Sequence, residues 1–521
     1  MALIKWTFYF YFIFFSLSTL TAQNIQISNK NNPNEPSIMM DPKNPARMIA
    51  ASNLNNYFVS IDTGRTWSIN RLTSSYGVWG DPVISVDTSG NFYYFHLSNP
   101  PSGQWIDRIV CQKTNDHGSS WTDGTFTGLN DHKAQDKQWC AVDRKNNYLY
   151  LTWTQFDKYG SNDPNDKSKI LFSKSTDLSA NWTPPVEINR TDGDCVDSDN
   201  TVEGAVPAVG PEGQIYVAWS GPKGIVFNKS TDQGSNWLSE EIKIDPMPGG
   251  WDYAIPGIYR ANGLPVTACD LSNGPNRGTI YVNWTDQRNG SDDTDVWLSK
   301  STDQGETWSS PLRVNDDPPG KHQFFTWMSI DQTSGFLYFI FYDRRNHDNA
   351  ATDVYLAVSK DGGATFVNRK ISESAFTPDE NVFFGDYTNI IAHDGIVRPI
   401  WTRLENAQLS IMTDITPVEN IVSNVENNFL DSEISTFSHY PNPSADKTYI
   451  SFKLRKKTRV SLEIMDIKGV KIKSIIENEF RAFGSYIETI DLQNLYLTNG
   501  TYFIVLSLDG ETKTKRQVLI K

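Results

Sequence analysis

Apolar residues recur at every second position in short runs along most of the chain. IVFNKS at 225–230 and VYLAVS at 354–359 are examples, and Gly, Asp, Asn and Ser punctuate the gaps between runs. A period of two predicts half-buried β-strands, and the punctuation predicts tight turns. Each strand of this kind leads into a near-copy of one eight-residue stretch. The copies are SIDTGRTW at 60–67, TNDHGSSW at 114–121, STDLSANW at 175–182, STDQGSNW at 230–237, STDQGETW at 301–308 and SKDGGATF at 359–366. The third copy has Ser179 where the others have Gly, and the sixth has Phe366 for Trp. Between their aspartates (62, 116, 177, 232, 303 and 361) the steps are 54, 61, 55, 71 and 58 residues. A repeat of this length built from short strands predicts propeller blades of four antiparallel strands.

Within a copy, a short Asp accepts hydrogen bonds from amides of its own turn. Gly two positions later allows φ > 0, and the Trp wedges between sheets. The stretch thus predicts a folding device and not a catalytic site. The inner strand of each unit opens at NEPSIMMD (34–41), GDPVISVD (80–87), DKQWCAVD (136–143), EGAVPAVG (203–210), LPVTACDL (264–271) and FFTWMSID (324–331). A seventh opening, FFGDYTNIIAHDG (383–395), is followed by two more strands but no eight-residue copy. QNIQISNK (23–30) is a spare strand at the other end. Pairing the two closes the ring and leaves no sheet edge. Seven blades are therefore expected, with six as the alternative.

The first residues differ in kind. Lys5 precedes the apolar run TFYFYFIFFSLSTL, then Thr21 and Ala22, a pattern that predicts a secretory signal peptide over 1–22. No later stretch is apolar enough to span a bilayer. The polar stretch ITPVENIVSNVENNFLDSEIST reads as a linker at 415–436, between a propeller at 23–414 and a C-terminal domain at 437–521. Short alternating strands with Asn-Gly and Asp-Gly turns predict a small β-sandwich there. Net charge is -14, yet residues 440–521 hold 14 basic and 9 acidic residues, so the acid excess lies in the propeller. That excess excludes nucleic acid and anionic membrane as partners, and a monomer is expected. Four Cys in an oxidising compartment can pair; Cys111 with Cys140 is the first candidate pair, and buried unpaired thiols are the alternative.

The six eight-residue copies are Asp-boxes, or BNR repeats, and over residues 30–415 the chain resembles the sialidase superfamily of β-propellers. YPNP, LEIMDIKGV and NGTYFIVL in the last 80 residues resemble the C-terminal sorting domain of the type IX secretion system of Bacteroidetes. That resemblance implies passage across the outer membrane, by the type IX machinery, to the surface or outside.

Candidate chemistry gathers at two kinds of position. Inner strands open on Glu35, Asp81, Asp136 with Lys137, Glu203, and Asp386 with Tyr387. Second strands end on Asp286 and Arg288, on Asp343, Arg344 and Arg345, and on Arg403 and Glu405. Both kinds face the axis mouth, where propellers bind ligands. Guanidinium groups clamp a carboxylate, so Arg288, Arg344, Arg345 and Arg403, with Asp286 and Asp136, are expected to bind an acidic glycan or glycoconjugate. The resemblance makes Tyr387 the nucleophile, Glu203 its partner and Arg345 one clamp arginine. Asp81 and Asp343 are candidate acids. Two departures stand against it: the Arg-Ile-Pro signature of the first blade is absent, and Ser220 stands where an Arg is expected. The leading expectation is a sialidase-like glycoside hydrolase. The alternatives are a non-catalytic glycan- or protein-binding propeller and a polysaccharide lyase on uronic acids, with His96 or His393 as base. No cofactor is expected. The acidic loop DGDCVDSDN (192–200) is a calcium candidate that fits no EF-hand pattern.

Overall fold

The computed structural model describes residues 23–417, save 131, and most of 434–519. The signal-peptide segment and most of the linker lie outside the described residues. Every described strand is antiparallel to its neighbours, and the only helix among them is one 3-10 turn, Gln493–Leu495. The chain divides into two compact units, up to Val418 and from Glu419.

The first unit is a β-propeller. Its described residues form seven four-stranded sheets. The inner strands are Ser37–Met40, Val83–Val86, Ala134–Val142, Glu203–Val209, Val266–Cys269, Gln323–Asp331 and Asn389–His393. Each neighbours the next in ring order, and the last neighbours the first. Six sheets are continuous in sequence. In the seventh, Asn24–Ser28 pairs with Gln408–Asp414 as the outer strand, with Ile25 opposite Thr413. The ends of the propeller are thereby hydrogen-bonded to each other, and the ring has no open edge.

The eight-residue turns join third strands to fourth strands, so they lie at the end of the ring opposite the inner-strand openings. In the fifth, Asp303 Oδ1 accepts from Ser301 Oγ (2.7 Å) and the Thr307 amide (3.0 Å), and Gly305 N donates to Ser301 Oγ (2.8 Å). Thr307 Oγ1 donates to the other carboxylate oxygen. Gly305 has φ +87°, and a Cβ there would stand 2.3 Å from Phe227 Cε1 on the preceding blade. The turn therefore needs both the left-handed conformation and the missing side chain. The third turn shows why Ser179 is tolerated at φ 68°. Its neighbour on the preceding blade is the small Cys111, whose thiol the Ser179 hydroxyl meets.

The wedge aromatics pack as expected, Trp67, Trp121, Trp237 and Trp308 each against a separate inter-blade apolar cluster. The Cys111–Cys140 disulfide is not formed. All four cysteines are free thiols; Cys111, Cys195 and Cys269 are buried and Cys140 is half-buried.

The second unit is a β-sandwich of a three-stranded and a four-stranded sheet. Alternate residues, Val460, Leu462 and Ile464 on one strand and Ile504, Leu506 and Leu508 on another, fill its core.

Candidate functional site

Five blades in succession around the ring place a carboxyl at the axis mouth: Asp386 of the seventh, Glu35, Asp81, Asp136 and Glu203. The backbone at these openings is unusual. Glu35, Asp81, Lys137 and Phe325 take left-handed φ values of 52°, 50°, 51° and 51°, and Gly204 stands at 77°. Repeated positive φ in non-glycine residues is costly and marks these openings as strained. The same strands carry bulges, between Asp136 and Trp139, Glu203 and Val206, and Phe324 and Trp327.

Lys137 is the hub. Its Nζ donates to Asp386 Oδ2 at 2.8 Å and Asp81 Oδ2 at 3.2 Å. Burial pulls its pKa down, but Asp386, Asp81, Asp136 and Glu35 outweigh it and hold the ammonium well above the usual lysine range. Arg260 Nε donates to Asp386 Oδ1 at 2.7 Å, its Nη2 reaches Oδ2, and its Nη1 lies 3.6 Å from Asp197 Oδ2. Asp386 is buried, yet these two cations keep its carboxyl far below the usual range.

The other carboxyls behave oppositely. Burial, with Asp81 and Asp386 adding to it, pushes Glu35 well up. Burial raises Asp136 to about 7, with Asp81 and Asp197 adding and Lys137 opposing. Burial and Asp197 push Glu203 well up. Desolvation disfavours a charge, and neighbouring like charges add to that. Glu203 is 1% exposed, and its carboxyl shares a hydrogen bond with that of Asp197.

Three connected spaces hold these groups. An open basin of about 380 Å³ is lined by Glu35, Asp81, Asp136, Lys137, Arg260 and Phe383, with Trp79 and Trp105 on its wall. The two tryptophans meet edge-on at 6.4 Å and are 39% and 44% exposed. A space of about 30 Å³, enough for one water, lies between Glu203, Asp197, Arg260 and Asn262. Another of about 30 Å³ lies between Tyr387, Trp139, Trp327 and Leu264. The charge is all on one arc. The fifth and sixth blades bring Val266, Thr326 and Phe325 instead.

The expected arginine clamp does not converge on this mouth. Arg288 is bonded to Asp286 of its own blade, Nε to Oδ1 at 2.9 Å, and to Asp245 of the preceding outer strand at 2.7 Å. Arg345 repeats this with Asp343 (Nε to Oδ2, 2.8 Å) and Asp316 (2.5 Å) next to the preceding outer strand. Arg288 also lies 4.5 Å from the Trp297 ring centroid and Arg345 4.2 Å from that of Tyr355. These are latches between neighbouring blades, set away from the axis. A guanidinium at the end of a second strand is within reach of the preceding blade's outer strand, and the acid there captures it. Arg403 is held by Ser374 O at 2.8 Å and Ser374 Oγ at 3.0 Å. Asp286 and Asp343 are fully buried in these latches, so neither serves the mouth.

Arg344 has another task. Buried with no carboxylate beside it, its pKa falls to about 10, and its Nη1 donates to Pro256 O at 2.7 Å. It anchors the inserted hairpin Asp252–Tyr253 with Ala261–Asn262, the segment that delivers Arg260. That insertion is the longest step between eight-residue copies, 71 residues, and this excess length was the available signal for Arg260.

The expected Tyr387–Glu203 pair is not formed. The Tyr387 hydroxyl is buried without a hydrogen-bond partner, and Glu203 is bonded to Asp197 instead. Burial and then Glu35 and Asp81 push the Tyr387 phenol well up, the reverse of an activated nucleophile. His96 Nδ1 bonds Leu97 O at 2.8 Å inside the second blade, and burial lowers its pKa to about 4. His393 lines the opposite end of the axis. Neither is at the mouth. In the acidic loop 192–200, Asp197 accepts from Tyr159 OH at 2.7 Å and joins the mouth, while Asp194 accepts from Thr201 Oγ1 at 2.8 Å. Among the described residues no cluster of three or more His, Cys, Asp and Glu side chains has the arrangement to hold a metal ion.

Fold and mouth together define an all-β propeller with a charged axial basin. Residues 438–521 match the family model for the secretion system C-terminal sorting domain, a type IX signal, so the protein is exported to the cell surface or beyond. No curated protein matches the sequence. Among solved structures, the chain is similar to the Hadza microbial sialidase Hz136, at 13% identity over 72% of this chain and 74% of that one, TM-score 0.42. It is similar to a leech intramolecular trans-sialidase at 10% identity over 74% and 83%, TM-score 0.43. It is also similar to a Penicillium chrysogenum α-L-arabinanase at 15% identity over 65% and 98%, TM-score 0.39.

Proposed function

We propose that the exported propeller is a glycoside hydrolase whose catalytic groups are the mouth carboxyls. The observation that carries this reading is a set of carboxyls, from successive blades around one basin, pushed in opposite directions. Burial pushes Glu203 and Asp136 up, while Lys137 and Arg260 hold Asp386 down and Asp81 is ion-paired with Lys137. Carboxyl groups driven apart in this way divide the work of acid and base. Glu203 gives its proton to the glycosidic oxygen. Asp81, 13% exposed on the basin wall, activates water or attacks the anomeric carbon. Tyr387 donates its hydroxyl to a sugar oxygen, and Trp79 and Trp105 stack on the sugar's apolar face.

The test is turnover by the full chain on a panel of aryl glycosides and oligosaccharides. Glu203→Gln is expected to lower kcat by about 10²–10⁴ on substrates with poor leaving groups, and much less on activated aryl glycosides. Equal loss on both classes would remove the acid role.

A second reading is a non-catalytic glycan-binding propeller. The exposed Trp79–Trp105 pair and the separation of Tyr387 from Glu203 favour it. Tight oligosaccharide binding with no turnover on any substrate, and none lost in Asp81→Asn, would select it.

A further inference from the structure

We infer that the end of the axial channel opposite the mouth is a second ligand site, which takes a medium-chain carboxylate with its head on Arg144 and its tail along the axis. This site is independent of the hydrolase reading. A cavity of about 270 Å³ opens at that end, and all seven inner strands line it. Met39, Val86, Val142, Ala268 and Ile391 give it its character. Each is half-buried on an otherwise largely buried strand, so its open surface faces the channel. The polar side chains of the wall are already spent. Ser85 donates to Cys140 O, Thr88 to Asn147 Oδ1 and Gln332 to Cys269 O, while Thr267 and Ser329 accept amides of neighbouring blades. His393 meets Pro42 O with Nε2, and its Nδ1 is shut off from solvent. Asp87 is taken by Asn91 Nδ2, and the nearby Asp331 by the amides of Thr333 and Gly395.

Arg144 differs from these groups. It is the one Lys or Arg among the lining residues, it is exposed, and its side chain has no hydrogen bond or ion pair among the described residues. Burial nevertheless lowers its pKa, with Asp331 opposing. A guanidinium that water reaches and protein surrounds stands in the opening of the channel, not on the outer surface. A free guanidinium takes a carboxylate in bidentate fashion. The wall behind it takes an unsubstituted chain, because a hydroxylated ligand would find no free polar partner there. The cavity equals the volume of about nine waters at ~30 Å³ each, and an acid of about eight carbons has a similar bulk. A cationic amphiphile would meet Arg144 with like charge.

The experiment is calorimetry on the full chain with four probes: octanoate, octanol, octylamine and acetate. Octanoate is expected to bind at least about tenfold more tightly than octanol or octylamine, and acetate not measurably. Arg144→Met, with its melting checked against the parent, should bring octanoate to within about threefold of octanol and leave octanol unchanged. Arg144→Lys should recover only part of the preference, because an ammonium cannot form the fork. Octanol bound as tightly as octanoate would overturn the carboxylate head, and acetate bound as tightly as octanoate would overturn the apolar tail. Octanoate affinity untouched by Arg144→Met would move the ligand away from this end of the axis and overturn the site. No octanoate binding to the parent would do the same.

Discussion

Carboxylates sit at both ends of the propeller, and the two ends treat them in opposite ways. On the turn face, Asp116, Asp232 and Asp303 lie at the surface, and each is wrapped by donors of its own eight residues. Hydrogen bonds from Ser120, Asn236 and Thr307 lead in lowering these carboxyls to about 2. On the mouth face, Glu35, Asp136 and Glu203 come from different blades, are buried, and are pushed up. The turn-face group is local and satisfied, so it stabilises. The mouth group is assembled from distant parts of the chain and held away from water. A fold that holds such a cluster together without cancelling it has somewhere to put a ligand.

The largest way to break this contrast is at Asp386, which holds the mouth's two cations. Asp386→Asn leaves the buried Lys137 with too little countercharge and frees the half-exposed Arg260 from its main partner, and should cost about 3–5 kcal/mol in denaturant unfolding. A loss below about 1 kcal/mol would show that the mouth is far wetter than its geometry implies.

At Gly305 on the turn face, alanine adds a Cβ against Phe227 in a left-handed backbone. It should cost about 2–4 kcal/mol and leave ligand affinity at the mouth unchanged. The third turn sharpens this. Cys111→Phe should destabilise by colliding with Ser179, and Ser179→Gly should rescue it, read as a coupling in a double-mutant cycle. Independent, additive effects would refute the inter-blade contact.

The smallest effect is the pH profile of stability, where the two faces should pull in opposite directions. A depressed carboxyl contributes stability above its unfolded value of 3.8, lost as pH falls toward about 2. A raised one contributes stability at low pH, lost as pH rises from 3.8 through about 7. Asp136→Asn should therefore flatten the slope between pH 4 and 7 and leave the acid limb in place. A change in the acid limb alone would mean that the two faces have been assigned the wrong way round.

Much of this architecture can be read from the chain because its determinants are local. A period of two makes the strands, and the Ser-x-Asp-x-Gly-x-x-Trp spacing closes its own hydrogen bonds within one turn. A spare strand at 23–30 beside a unit lacking its fourth strand implies closure of the ring. The inner-strand openings likewise mark Glu35, Asp81, Asp136, Lys137, Glu203, Asp386 and Tyr387 as a group, since equivalent positions of a ring must meet at its axis. What the tertiary structure alone decided is how charges are shared. Arg288, Arg345 and Arg403 have the right residue type and the right blade position for a clamp. Each is spent instead on a neighbour, Asp245, Asp316 or Ser374, that comes close only when the sheets pack. Arg260 and Asp197 reach the mouth from an insertion and a loop that share no repeat position with the rest. Coulomb energy and desolvation depend on distance and burial between residues far apart in sequence. Spacing along the chain therefore names the groups that meet, and packing determines which of them remain uncompensated.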